Sequence, residues 1–312
     1  MGGFIVSRSD HERNNIFTED KRTERNYYPE EDDLEERYKK YINILKNLTI
    51  MSDVFMRNVF KKRDCVEYVL QVIMGKNDLK IRDHVVQKDY KNLQGRSAIL
   101  DCVARDKERK IYDVEIQQES EGASPKRSRY HSGLMDMNTL KAGKDFEKLP
   151  ESWVIFVTTS DILGYGMPVY HIERKISGTD KTFNDDSHIL YVNSNIQDET
   201  ELGRLMHDFH CKDAKDMYSP ILAQRVRELK ETQKGVEIMC REMDNIFKEG
   251  VTIGEIRGEK IGFDRGKLSA QKENAIAFSR FGLTVEQIAQ AMKVSVEDVR
   301  KWISEDMEMV KQ

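Results

Sequence analysis

The segment from Ala98 to Gln117 constrains the fold of this chain more than any other part of the sequence. It consists of two stretches rich in β-branched and apolar residues, joined by the wholly charged residues 105–110. This composition predicts two antiparallel strands connected by an exposed turn. Because side chains alternate along a strand, Asp113, Glu115 and Gln117 share one face of the second strand, and we expect the core to take the other face.

The register of this hairpin decides whether its acidic residues meet. If the turn is centred on Glu108, Asp101 lies directly opposite Glu115, with β-carbons about 5 Å apart. Two carboxylates so placed repel each other unless a cation lies between them, and hard divalent ions such as Mg²⁺ and Mn²⁺ prefer oxygen ligands. The hairpin therefore predicts either a metal site at Asp101 and Glu115 or the solvated polar face of an ordinary hairpin.

The motifs around the hairpin favour the first alternative. In chain order they are Asp53-Val-Phe-Met-Arg-Asn-Val-Phe60, Gly95 to Asp101, Tyr112 to Gln118, Arg127-Ser-Arg129-Tyr130, and Trp153 to Val157 followed by Asp161. This series, which extends roughly over residues 42–249, resembles the PD-(D/E)XK nucleases and, more narrowly, the Rpn family of recombination-promoting nucleases and transposases. The resemblance implies a restriction-endonuclease-like α/β fold with a mixed central sheet flanked by helices and a helical C-terminal extension.

The resemblance also implies the residues of an active site. The predicted catalytic residues are Asp101, Glu115 and Gln117, the predicted metal ligands are Asp101 and Glu115, and the additional candidates are Asp53, Asp113 and Arg129. Gln117 stands where the superfamily normally has a lysine, and an amide carries no charge to stabilise the transition state. We therefore expect Arg129 or Lys141, on the next helix, to supply positive charge.

The predicted function is hydrolysis of DNA phosphodiester bonds by a Mg²⁺- or Mn²⁺-dependent endonuclease that promotes recombination. One alternative is a catalytically weak or inactive protein of the same fold that binds DNA or protein. Another is a homo-oligomeric interaction protein that assembles through its tail. The formal net charge is -4, so DNA contacts require local basic patches, for which residues 61–63 and 126–129 are candidates.

Cysteine usage and hydropathy indicate the compartment. The four cysteines have no Cys-x-x-Cys spacing, and no apolar run approaches the ~20 residues of a membrane span. We therefore expect a cytoplasmic protein with no membrane-spanning segment. The cluster from His207 to Cys211 lacks a second pair at zinc spacing, which favours a packed helical turn over a zinc site.

Composition and apolar periodicity divide the chain into five predicted parts. Residues 1–33 are polar and charged without apolar periodicity, as in a flexible leader. The nuclease-like domain covers residues 34–198 and a helical region covers 199–249. The first domain has helical periodicity from Leu34 to Leu70, and a further helix begins at Ser124-Pro125 and ends at Gly143. The residues of this helix predicted to lie over the sheet are Tyr130, Leu134, Met137 and Lys141. The other predicted strands are 79–87, 153–158 and 188–193.

Two unusual segments follow. Glycines recur at positions 250, 254, 258, 262 and 266, and each costs a helix about 1 kcal/mol relative to alanine. Residues 250–268 are therefore predicted to be a soft linker or a helix that only a partner orders. Residues 269–312 resemble a helix-turn-helix, with Thr284 and Ser295 as helix caps and Lys293 where the turn favours glycine.

The chemistry of this predicted helix-turn-helix leaves its role open. Its expected core residues are Ile288, Ala289, Met292, Val294, Val299 and Trp302. The second helix opens with Glu297 and Asp298, whose charges oppose contact with phosphates. The alternatives for this unit are DNA binding and a simple helical hairpin or contact with protein.

Overall fold

The computed structural model describes residues 31–92, 95–118 and 120–309. The chain divides into two compact units, residues 1–40 and 41–312. In the first unit, helix α1 (Glu31–Asn47) begins at Glu31, inside the leader predicted for residues 1–33. Residues 1–30 of that predicted leader lie outside the described residues.

Helices α2 (Asp53–Phe60) and α3 (Arg63–Met74) precede the sheet, as the sequence periodicity predicts. Their apolar residues at three- and four-residue spacing form buried faces, because this spacing places side chains on one side of a helix. The buried apolar residues of the two helices are Phe55, Met56, Val59, Phe60, Cys65, Val66, Val69, Leu70 and Ile73.

Six strands form one mixed sheet in the order β1-β2-β3-β4-β6-β5. The strands are β1 Ile81–Tyr90, β2 Ala98–Asp106, β3 Ile111–Gln117, β4 Ser152–Thr158, β5 Val169–Ile172 and β6 Ser187–Asn193. Strands β3, β4 and β6 run parallel to one another, and the other pairings are antiparallel. The apolar run Trp153 to Val157 within β4 reflects its central position, with every residue of the strand buried.

Helix α4 (Pro125–Thr139) covers one face of this sheet. Its predicted start is confirmed, since the Ser124 hydroxyl caps the helix by accepting a hydrogen bond from the Arg127 N–H, but it ends at Thr139 rather than Gly143. The predicted inward face was wrong except for Leu134: Tyr130 and Met137 are exposed, and Lys141 lies beyond the helix. Ser128, His131 and Ser132 are buried beside Leu134 and Met135, so apolar periodicity alone could not identify the inward face.

The expectation that the core takes only one face of β3 was also wrong. Asp113 and Glu115 are as fully buried as Val114 on the opposite face. Because α4 covers the acidic face, these carboxylates lie between a sheet and a helix rather than in water. The acids of the hairpin are therefore interior groups.

Within the helical region predicted for residues 199–249, the structure has α5 (Glu201–His210), α6 (Pro220–Lys230) and the start of α7 (Gln233–Arg280), with a break between α5 and α6. At this break both carboxylate oxygens of Asp208 accept backbone hydrogen bonds, from Tyr218 and Ser219, at 2.7 Å each. Asp208 lies within ligand distance of His207 and Cys211, but its oxygens are already engaged in joining the two helices. This arrangement is a packed turn.

Helix α7 (Gln233–Arg280) runs without interruption through the glycine-repeat segment. Residues 250–268 therefore form a helix and not a soft linker. A β-carbon on any of the five repeat glycines would meet no atom within 4 Å among the described residues. Ordering of this helix by a partner stays a prediction.

The C-terminal end of α7 packs with α8 (Val285–Met292) and α9 (Val296–Met309) around a small core. Thr284 forms a capping box with Gln287, and Lys293 has the left-handed φ of 54° that favours glycine at such turns. The core contains the residues expected from the sequence, to which α7 adds Ala275. Across the described residues, no helix is long and apolar enough to cross a membrane.

Candidate active site

The register of the β2–β3 hairpin brings Asp101 and Glu115 together. The ladder pairs Val103 with Asp113 and Cys102 with Val114, so the next residues along it are Asp101 and Glu115. The Asp101 N–H donates to Glu115 Oε1 at 2.8 Å, and the Ile116 N–H donates to Asp101 Oδ2 at 3.2 Å. The two predicted metal ligands thus lie side by side on one face of the sheet.

Burial makes these carboxylates poor isolated anions. Loss of water raises the pKa of Glu115 to about 9, and the neighbouring Asp113 and Asp101 add to the rise. Desolvation also raises the pKa of Asp101 to about 6, with a smaller contribution from Asp53, and raises that of Asp113 well above its usual value. Such a cluster favours a bound proton or a bound cation.

The donor set fits a hard divalent ion. Asp101 and Glu115 offer carboxylate oxygens, the ligands that Mg²⁺ and Mn²⁺ prefer. The neighbouring oxygen Asp113 Oδ1 is buried and has no hydrogen-bond partner among the described residues. A cation bound here would offset the repulsion between the carboxylates, which contributes to the raised pKa values of Asp101 and Glu115.

Arg127 is the cation of the site. Its guanidinium donates to Glu115 Oε2 at 3.1 Å, to Gln117 Oε1 at 3.5 Å and to the Gly122 carbonyl at 2.8 Å. Its Nε donates to His131 Nε2 at 3.2 Å. Positive charge therefore lies directly beside Gln117, where the sequence lacks a lysine.

The sequence prediction named the wrong cations for this role. Arg129 is exposed on α4, two residues from Arg127 and hence about 200° further around the helix. Lys141 is exposed beyond the end of α4. A signal for Arg127 was present, since it lies four residues before His131 in the first turn of a capped helix, which places both on one face.

His131 and Asp113 hold Arg127 in place through a chain of hydrogen bonds. His131 Nε2 accepts a hydrogen bond from Arg127, so its proton lies on Nδ1, which donates to Asp113 Oδ2 at 3.0 Å. Burial lowers the pKa of His131, in agreement with a neutral ring. Asp113, Glu115 and His131 could share an ion by distance, but the hydrogen bonds engage both ring nitrogens of His131.

Gly122 lets the Gln117 side chain approach the start of α4. A β-carbon on Gly122 would lie 2.2 Å from Gln117 Oε1, far inside contact distance. Any other residue at position 122 must displace the amide. Sequence reasoning missed this glycine, because its constraint is a contact with a side chain and not a turn.

Asp53 lies at the side of the site, at the start of α2. The Arg57 Nε donates to Asp53 Oδ1 at 2.7 Å. The charge of Asp53 raises the pKa of Asp101 while that of Arg57 lowers it, so this pair is close to the acids. The Gln118 amide donates to the Met51 carbonyl at 2.7 Å. This hydrogen bond holds the residues just before α2 against the end of β3.

The two predicted basic patches differ in their availability. Lys61 forms an ion pair with Glu242 at 2.6 Å, and Lys62 forms one with Glu228 at 3.0 Å. Those lysines are largely neutralised for nucleic-acid binding. In the other patch, Arg127 faces the acids while Lys126 and Arg129 are exposed at the surface of α4.

Residues 68–213 match the family model described as PD-(D/E)XK nuclease family transposase. The matched segment contains all six strands and α4, and with them Asp101, Glu115, Gln117 and Arg127. The match confirms the resemblance found in the sequence and the restriction-endonuclease-like fold class. Comparisons with curated proteins and with solved structures gave no match.

Proposed function

We propose that this chain is a divalent-metal-dependent endonuclease that hydrolyses DNA phosphodiester bonds and promotes recombination. The proposal starts from the match of residues 68–213 to the family model described as PD-(D/E)XK nuclease family transposase. The observation that carries the proposal is the meeting of Asp101 and Glu115, with raised pKa values, beside Gln117 and Arg127. An ordinary hairpin does not bury paired acids next to a cation.

In this proposal Asp101 and Glu115 would hold Mg²⁺ or Mn²⁺, and the ion would supply a bound water of lowered pKa and positive charge beside the scissile phosphate. The amide oxygen of Gln117 accepts a hydrogen bond from Arg127, so its NH₂ group is the end that donates. This group orients the attacking water or a phosphate oxygen.

Arg127 takes the electrostatic role that the superfamily gives to lysine. Its side chain is 37% exposed while that of Glu115 is fully buried, so it connects the interior acids with the surface. A guanidinium donates several hydrogen bonds in a fixed fork, which suits a phosphate that gains charge in the transition state. Asp113 and His131 hold the guanidinium in place.

Nicking of supercoiled plasmid DNA in Mg²⁺, in Mn²⁺ and in chelator tests the proposal. Glu115→Gln and Asp101→Asn keep side-chain size and should lower the metal-dependent rate roughly 100-fold or more. The matched control is Asp106→Asn, which alters a buried carboxylate of the same hairpin that binds the Tyr112 hydroxyl. If folded Glu115→Gln and Asp101→Asn proteins nick as fast as the unchanged chain, the catalytic role is wrong.

A second candidate function is a catalytically inactive nuclease fold that binds DNA or protein. The ion pair between Arg127 and Glu115 favours it, because it engages a carboxylate that the metal needs. Calorimetric titration with Mn²⁺ separates the two functions. Binding that is lost in Glu115→Gln supports the enzyme, whereas no binding by the unchanged chain supports the inactive module.

A further inference from the structure

The loop of residues 159–168, between β4 and β5, lies at the same edge of the sheet as the candidate active site. The Thr159 N–H donates to the Gln117 carbonyl at 3.4 Å, and the Thr159 hydroxyl donates to the Gln118 carbonyl at 2.6 Å. The loop thus starts directly beside the last residues of β3.

A row of paired residues connects this loop to the acids. Glu115 pairs with Phe156, Phe156 with Tyr191, and Tyr191 with Tyr170. Paired residues share a face of the sheet, so Tyr170 and Glu115 lie on the same face. Three strand spacings separate them, which is roughly 14 Å at about 4.8 Å per strand.

Tyr170 and Asp161 hold the loop in one conformation. The Asp161 carboxylate accepts hydrogen bonds from the backbone of Gly164 at 2.9 Å and Gly166 at 2.7 Å, and from the Tyr170 hydroxyl at 2.7 Å. The Tyr170 oxygen in turn accepts from the Tyr165 N–H at 3.1 Å. Gly164 and Gly166 have φ values of 76° and 70°, which glycine adopts without strain.

This backbone leaves the Tyr165 ring in solvent. Tyr165 is 78% exposed, whereas Ile162 and Leu163 of the same loop pack against the core. Single exposed apolar residues are common on protein surfaces. Tyr165 differs because partly buried Ile162 and Leu163 on one side and buried Tyr170 on the other hold its loop at the end of the sheet where the candidate active site lies.

We propose that Tyr165 stacks on a base of the nucleic-acid substrate, close to the cleaved bond. This inference rests on the proposed nuclease function. The Tyr165 ring lies 6.2 Å from the Tyr170 ring, and Tyr170 lies roughly 14 Å from Glu115 across the sheet. The stacked base therefore belongs to a neighbouring nucleotide and not to the one whose phosphate is cleaved. An unpaired base presents the flat face that an aromatic side chain needs, and such stacking tolerates any sequence.

The test is binding of a fluorescently labelled single-stranded oligonucleotide of roughly 12 nucleotides, followed by anisotropy. All proteins carry Glu115→Gln so that the DNA is not cut. Tyr165→Ala should weaken binding roughly 5- to 100-fold, whereas Tyr165→Phe and Tyr165→Trp should bind as tightly as Tyr165 itself. Phe183→Ala is the matched control, because Phe183 is an exposed aromatic residue between β5 and β6, at the other end of these strands.

The outcomes separate this inference from the proposed function. Equal affinity of the Tyr165→Ala and Tyr165 proteins overturns the inference and leaves the nuclease proposal standing. An equal loss in Tyr165→Phe also overturns it, since the hydroxyl and not the ring would then make the contact. Absence of binding by every protein, with no nicking by the chain with Glu115, overturns both.

Asp161→Asn provides a second measurement on the same loop. It removes the charge that anchors the backbone at Gly164 and Gly166 but keeps the Tyr165 ring. Weaker binding in this variant, with an unchanged melting temperature, supports a pre-organised stacking residue. Unchanged binding contradicts the role of the ordered loop.

Discussion

Arg127 shows how a helix can supply the charge that a strand lacks. A lysine at position 117 would lie on the same face of β3 as Glu115, two residues away. Gln117 leaves that place neutral, and Arg127 reaches both side chains from the first turn of α4. The site therefore has a positive charge, but a residue of α4 carries it instead of a lysine on β3.

Arg127→Lys tests this compensation. Lysine keeps the charge but cannot bind Glu115, Gln117 and His131 together, because it lacks the planar fork. We expect the maximal nicking rate to fall roughly 10- to 1000-fold with a smaller change in KM. Arg129→Lys, two residues away and exposed, should leave both constants unchanged; a fall of equal size in that variant would show that the effect is not specific to Arg127.

Gly122→Ala tests the placement of Gln117. The added methyl group would lie 2.2 Å from the amide oxygen, so the side chain must move, and displacement by about 1 Å can reduce a rate up to 100-fold. The melting temperature should change little, since a flexible side chain absorbs the contact. Gly133→Ala on α4, where a β-carbon meets nothing within 4 Å among the described residues, should keep full activity. Full activity of Gly122→Ala would remove Gln117 from the mechanism.

The raised pKa of Glu115 predicts an unusual dependence of stability on pH. In the unfolded chain this carboxyl ionises near its ordinary pKa of 4.5, but in the folded, metal-free chain it ionises only at about 9. The unfolded state therefore binds fewer protons between these values, so the stabilisation present below pH 4.5 is lost as the pH rises towards 9.

A divalent ion should restore that stability at high pH. Binding to the ionised carboxylate stabilises the folded state, so the rise in melting temperature caused by Mg²⁺ should be larger at pH 8.5 than at pH 6. Thermal unfolding with Mg²⁺ and with chelator at both pH values measures this difference. The difference should vanish in Glu115→Gln; its persistence there would place the ion elsewhere.

At the scale of elements, the sequence predicts best where local pattern and packing agree. The β2–β3 hairpin could be predicted from its charged turn, and its register followed once the turn was centred on Glu108. Strand β4 could be predicted from the apolar run that forms its centre. Strand β5 was missed because its four residues, Val169–Ile172, are too few to show a period.

Helix α4 shows why the site could be predicted only in part. Its inward face is polar because it covers buried acids, so the hydrophobic pattern pointed to the wrong residues. Asp101 and Glu115 lie on strands whose pairing is local in sequence. Arg127 and Gly122 reach the site through contacts with the side chains of β3, which the hydrophobic pattern of strands and helices does not encode.

The glycine-repeat part of α7 predicts self-assembly. Ile253, Ile256 and Phe263 are large apolar residues at its surface, and Phe263 is 72% exposed. The repeat glycines permit close approach of a second helix, since ridges four residues apart interlock. In an antiparallel pair centred on Gly258, the residue Arg257 would lie opposite a glutamate at position 259.

Phe263→Glu should therefore lower the solution mass from that of a homodimer to that of a monomer, as measured by light scattering. A charge in an apolar contact is costly because it loses water without gaining a partner. Phe281→Glu is the matched control, since Phe281 is more exposed but lies beyond the repeat. A monomeric unchanged chain would contradict assembly through α7.

At the scale of the whole chain, the sheet core and the C-terminal core are separate sets of described residues. The sheet core includes Leu134, Val154 and Phe156, whereas the C-terminal core is built from Ala275, Ile288, Ala289, Val299 and Trp302. The two sets have no residue in common. Asp101, Glu115 and Gln117 of the candidate active site lie on strands of the sheet that contains the first core.

The charges of the C-terminal unit argue against DNA binding. Lys272 pairs with Glu305 at 3.1 Å, and Arg280 pairs with Asp306 at 2.9 Å. These contacts neutralise cations that could meet phosphates, and Glu297 and Asp298 open α9 with negative charge. Of the two roles left open by the sequence, a contact with protein is the one that these pairs favour.

A chain that ends at residue 249 should therefore keep the nicking activity of the full chain. It retains the sheet, α4 and the part of α7 where Met239, Cys240 and Met243 are buried. Because two cations of the removed unit pair with acids and α9 opens with two acidic residues, we expect the dependence of DNA affinity on salt to stay the same. Each lost phosphate contact would lower the slope of log affinity against log salt by about 0.9. A lower slope together with a higher KM in the shortened chain would show that the helix-turn-helix binds DNA after all.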